Sequence, residues 1–141
     1  MLDRAVPGVR PLDAFPGDLD DARKLGGQLS LVGFDARDQG LYVCGACAIT
    51  GVTEFGLVEH GCGASKGTSG GPLMTVSPHG ACEVVAMQVV EDPRARDGDA
   101  LDAANANKAV SAQTFIADAR KVRDLLDRGL GAIQIKKTIG R

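Results

Sequence analysis

The sequence has no tryptophan, no excess of one charge and no long apolar run. With a net charge of -2 over 141 residues it offers no electrostatic hold on a polyanion, so neither nucleic acid nor an anionic membrane is expected as a partner. No stretch approaches the ~20 consecutive apolar residues that span a bilayer. The opening MLDRAVPGVRP also lacks the basic and apolar regions of a signal peptide. Histidine is scarce, with only His60 and His79, and both read as surface or turn residues. A chain of 141 residues allows one core rather than a cleft between two.

Glycine is plentiful, at 19 residues, and there are four cysteines, Cys44, Cys47, Cys62 and Cys82. Such a set serves either as metal thiolates or as one or two disulfides. Zinc ribbons place a Cys-x-x-Cys knuckle at each end of a loop, whereas only Cys44 and Cys47 form one here. Extended-looking sequence on both sides of that pair argues against a redox motif at the start of a helix. Neither a metal nor another cofactor is expected.

Residues 1–28 are rich in proline, glycine and aspartate without a steady period, which predicts an extended connection lying over a surface. From Leu29 onward, short apolar runs alternate with turn signals: Leu29 to Phe34, Leu41 to Ile49, Thr53 to Val58, Pro72 to Val76 and Cys82 to Val90. That rhythm predicts an antiparallel barrel or sandwich. The charged, alanine-rich EDPRARDGDALDAANAN predicts a long exposed loop before a last strand near Ala109. Phe115, Ala119, Val122 and Leu126 then recur at helical spacing, and Gly129 is placed to end an amphipathic helix. The domain is thus expected over residues 29–129, with a tail at 130–141.

One stretch carries chemistry. KGTSGGPLM, Lys66 to Met74, sets Ser69 among three glycines. Glycine serves where a backbone must take conformations that a side chain forbids, so Ser69 is expected on a tight, exposed turn. If the turn aims the amides of Gly67 and Ser69 at one point, it makes a two-donor cradle for an oxyanion beside a nucleophile. The competing reading is a glycine-rich hairpin. Gly67-Thr68-Ser69-Gly70-Gly71 also satisfies the α/β-hydrolase elbow, but that fold needs an acid and then a histidine after the serine, an order the sequence does not supply.

Gly67-Thr68-Ser69-Gly70-Gly71-Pro72-Leu73 resembles the nucleophile signature of trypsin-like serine proteases. Val84-Val85-Ala86-Met87 and Asn107-Lys108-Ala109-Val110 are similar to the strands that follow it in bacterial members. Leu31-Val32-Gly33-Phe34-Asp35 is similar to the strand opening the second barrel, and Leu2-Asp3-Arg4-Ala5-Val6 to the segment just after the family's catalytic aspartate. The resemblance covers nearly the whole chain. It implies an all-β fold: an antiparallel six-stranded Greek-key barrel, the second of the family's two, with residues 1–28 as the inter-barrel connection and a C-terminal α-helix.

The resemblance further implies Ser69 as nucleophile, Gly67 with Ser69 as oxyanion donors, and a Cys47–Cys62 disulfide. Gly63, Ala64, Lys66, Gln88, Val89 and Val90 would line the substrate site. With no acid at Gly63 or Ala64, a small or apolar substrate side chain is expected over arginine or lysine. The family's histidine and aspartate would lie before Met1, on a complementary N-terminal barrel, which leaves Ser69 unactivated in this chain. The expected function is that of a serine endopeptidase acting on a peptide or protein, inactive as an isolated chain and secreted or periplasmic in its full form. A stand-alone β-barrel that binds peptides or a protein without cleaving them is the alternative.

Overall fold

The computed structural model describes residues 12–90 and 107–127. The long loop expected from Glu91 to Asn107 lies outside the described residues except for Asn107, which instead opens the last strand; residues 1–11 of the expected connection, the helix end at Gly129 and the tail at 130–141 lie outside them as well. The described part is mostly antiparallel sheet, followed by a helix, and divides into two compact units. Residues 12–113 hold every strand, and the second unit contains the last helix from Thr114 onward.

The first unit opens with β1 (Asp13–Ala14) and helix α1 (Leu19–Lys24), followed by a 3₁₀ turn at Gly26–Gln28. Then come β2 (Leu29–Asp35), β3 (Gly40–Cys47), β4 (Ile49–Val52), β5 (Val58–His60), β6 (Pro72–Val76), β7 (Cys82–Val90) and β8 (Asn107–Ser111). The second helix, α2, spans Ala112–Asp127 and includes the helical spacing read from Phe115 onward. Residues 12–28, expected as an extended connection, instead carry α1. Asp18 caps it, accepting from the Asp21 amide at 2.9 Å. Acids fill its first turn and bases its last, matching the helix dipole. Ala22 is consequently buried with the core.

Neighbouring strands run in the order β3-β2-β6-β7-β8-β5-β4, and β1 adds in parallel beside β7. That makes eight strands where six were expected. Two local causes account for the difference. β7 is nine residues long and β8 covers it only from Ala86, which leaves Glu83 and Val84 for β1 to pair with. Ala48 separates β3 from β4, so one stretch of chain pairs first with β2 and then with β5.

Alternation decides what is inside. Leu29 and Leu31 of β2, Val58 of β5, Leu73 of β6, Ala86 of β7 and Ala109 of β8 have no exposed surface. Burial of each larger aliphatic side chain contributes about 1.5–3 kcal/mol. The Cys47–Cys62 disulfide, with Cα atoms 4.9 Å apart, links the end of β3 to the segment after β5. Among the described residues no helix is long and apolar enough to cross a membrane.

Candidate functional site

Between β5 and β6 the chain makes two successive turns around Ser69. Thr68 donates its amide to the Ser65 carbonyl at 3.0 Å and its hydroxyl to the same oxygen at 2.8 Å. Gly71 donates to the Thr68 carbonyl at 2.8 Å. The third residue of the two turns is Gly67 at φ 106° and Gly70 at φ 82°, the positive values that a type II turn demands there. A side chain at Gly67 is also excluded by space, since a Cβ would stand 2.7 Å from the Phe34 carbonyl oxygen and 2.9 Å from the Ala36 nitrogen.

Strands on both sides hold this loop. Gly70 donates to the Gln88 carbonyl at 2.7 Å and Gln88 to the Gly71 carbonyl at 2.9 Å, which fixes the loop to β7. Ala36 donates to the Lys66 carbonyl at 2.8 Å, which fixes it to the end of β2. There Asp35 accepts from the Arg37 amide at 2.7 Å, and its second oxygen lies 3.4 Å from the Arg37 guanidinium. The Arg37 amide is the main cause that lowers the Asp35 pKa to about 2, with the Ser65 hydroxyl assisting. That hydroxyl approaches the carboxylate without reaching good hydrogen-bond geometry.

Ser69 itself is exposed, whereas Thr68 before it is buried. Among the described residues neither the Gly67 nor the Ser69 amide has an acceptor. Two unengaged donors therefore flank one residue, beside a free hydroxyl, on a loop anchored at both ends. Such an arrangement suits developing negative charge, because the donors need not break other bonds to receive it.

Of the other expected site residues, Lys66, Val89 and Val90 are exposed, while Gly63, Ala64 and Gln88 are buried. The Gln88 side chain is already occupied: its Nε2 donates to the Val90 carbonyl at 2.9 Å and its Oε1 lies 2.7 Å from His60 Nε2. Reading His60 as a surface or turn residue is corrected here. It is a buried residue of β5, one place beyond Glu59 and on the inward side with Val58. That alternation was the available signal. With Oε1 as acceptor, His60 carries its proton on Nε2, and its Nδ1 has no partner. Burial pushes its pKa down, opposed by the Gln88 contact. The ring is a neutral wall element and not a base for the exposed Ser69. His79 sits in the exposed turn between β6 and β7.

Cys44 and Cys82 are free, the first half-buried and the second exposed. Cys44 Sγ accepts from the Gly63 amide at 3.2 Å, a contact that the spacing of the cysteines does not announce. No protein-family model matches the chain, and no curated protein does either.

Proposed function

We propose that this chain is the nucleophile-bearing barrel of a trypsin-like serine endopeptidase, with the histidine and aspartate supplied by a complementary barrel. The observation that carries the reading is the pair of unengaged amides, Gly67 and Ser69, beside an exposed hydroxyl. Strand order lends support. β3 and β4 stand at opposite ends of the sheet path yet are separated in sequence only by Ala48. Taken as one bent strand they join the two ends, and without the two-residue β1 the sheet becomes a ring of six with Greek-key order. The Cys47–Cys62 bridge agrees with the same resemblance.

In this reading the partner histidine removes the Ser69 proton, and Oγ attacks the scissile carbonyl. Charge builds on the carbonyl oxygen, which the Gly67 and Ser69 amides stabilise. The amine leaves with the proton held by the histidine, and water then releases the acyl group from Ser69. One such donor is worth roughly 10²–10³ in rate. Without the base, the Ser69 hydroxyl has negligible nucleophilicity. Gly63 and Ala64 supply no carboxylate, and Gln88 is engaged with His60, so the pocket favours a small or apolar side chain.

A fluorophosphonate probe tests this. The chain alone should stay unlabelled, whereas the chain joined to a barrel supplying histidine and aspartate should be phosphonylated at Ser69 and lose labelling in Ser69→Ala. Labelling that is equal with and without the second barrel, or that survives Ser69→Ala, contradicts the proposal.

A further inference from the structure

In a regular strand Cys44 and Cys47 would point to opposite faces, because they are three residues apart. Here Leu29 pairs with Cys47 and Leu31 with Cys44, so β3 carries one residue more than β2 across that interval. Directly opposed residues share a face, and Leu29 and Leu31 both point into the core. The bulge therefore turns Cys44 and Cys47 to the same side. Ala46 absorbs the extra residue at φ 58°, a value uncommon outside glycine. On that side Cys47 is bonded to Cys62, and the Cys44 sulfur lies 3.2 Å from the amide of Gly63, the next residue after Cys62. A free thiol thus stands on the face that carries the disulfide, against the residue that follows Cys62.

We propose that Cys44, Cys47 and Cys62 form an exchangeable three-sulfur centre in which the disulfide moves from Cys47–Cys62 to Cys44–Cys62. The Cys44 thiolate attacks Cys62 Sγ. An S–S bond forms between Cys44 and Cys62 as the Cys47–Cys62 bond breaks, and Cys47 leaves as a thiolate that takes up the proton Cys44 released. No oxidant or reductant is consumed. The exchange carries the crosslink across the bulge, from the Leu29 register to the Leu31 register, and draws on the sulfur that holds the Gly63 amide. Gly63 leads through Ala64 into the turn from Ser65 to Thr68, so the position of the crosslink regulates the loop that presents Ser69. The exchange stands on the β3 register and the Cys44–Gly63 contact and does not require the peptidase reading.

Disulfide mapping tests it. The full chain carrying Cys82→Ser, which removes the exposed thiol, is held at mildly alkaline pH, quenched with acid, alkylated and digested without reduction. Fragmentation of the linked peptides then locates the alkyl group. A Cys44–Cys62 link with alkylated Cys47 is expected in about 0.1–10% of molecules, growing in over minutes to hours. Alkylation confined to Cys44 at every time overturns the proposal. Cys47→Ser in the same Cys82→Ser background gives a second measurement. With oxidised glutathione as the oxidant, reduced as the bond forms, Cys44 and Cys62 of that variant should join in a disulfide, and two titratable thiols in a chain that keeps its β-sheet circular dichroism would overturn the proposal equally.

Discussion

Gly67 carries the sharpest residue-scale demand, since its backbone lies at φ 106° and an added Cβ would press on the Phe34 carbonyl and the Ala36 nitrogen. Gly67→Ala is therefore expected to destabilise the protein by about 1–3 kcal/mol in denaturant unfolding. Ser69→Ala, at an exposed hydroxyl, should stay within ~0.5 kcal/mol. The two substitutions separate the shape of the loop from its chemistry. Two titrations belong to this scale as well. His60 has its pKa depressed by burial, so unfolding takes up a proton once pH drops below the ordinary value of 6.5. Its contribution to stability is complete above that pH and declines as acid is added, and His60→Gln should flatten this part of the curve. Asp35 is depressed to about 2 from 3.8. Its contribution is present above 3.8 and lost as pH falls toward 2, a slope that Asp35→Asn should remove from acid unfolding.

At the scale of elements, the disulfide and the core strands dominate. The Cys47–Cys62 bridge closes a separation of 15 residues. Its loss in Cys62→Ser should cost about 3 kcal/mol, read from the shift in unfolding midpoint. Three strands were legible in the sequence because each buries one face: Leu29 and Leu31 recur at a period of two, and the runs from Pro72 and Cys82 match β6 and β7. The run expected from Leu41 to Ile49 instead breaks at Ala48 into β3 and β4, and the one expected from Thr53 to Val58 is a turn, the Thr53 amide donating to the Leu57 carbonyl, with β5 beginning only at Val58. Helix α1 left its signal too, in the Asp18 cap, the flanking charges and the spacing of Leu19, Ala22 and Leu25. The surrounding proline and glycine masked it. What spacing does not reveal is an irregularity. The β3 bulge brings Cys44 and Cys47 onto one face, and nothing in Cys-Gly-Ala-Cys specifies that Ala46 takes a positive φ. The site divides the same way. Glycines around Ser69 announce a special turn, but the His60–Gln88 contact joins residues 28 positions apart, and only the strand pairing brings them together.

Across the whole molecule, the outer face of the β2–β3 hairpin is apolar. Phe34 opposes Leu41 and Val32 opposes Val43, and Phe34, Leu41 and Val43 are 51%, 80% and 58% exposed. A contiguous patch of this kind favours association. Sedimentation of the isolated chain should show concentration-dependent self-association that weakens in Leu41→Lys. A monomer at every concentration would mean that this face needs no cover.

The central claim is that two backbone amides next to Ser69 await negative charge, and amide proton shifts report on them directly. In the two-barrel protein phosphonylated at Ser69, the Gly67 and Ser69 amide protons should both move downfield relative to the unreacted protein, as donors to a new anionic oxygen do. If Ser69 is phosphonylated and the Gly67 amide proton stays where it was, the loop holds no such cradle and the account fails.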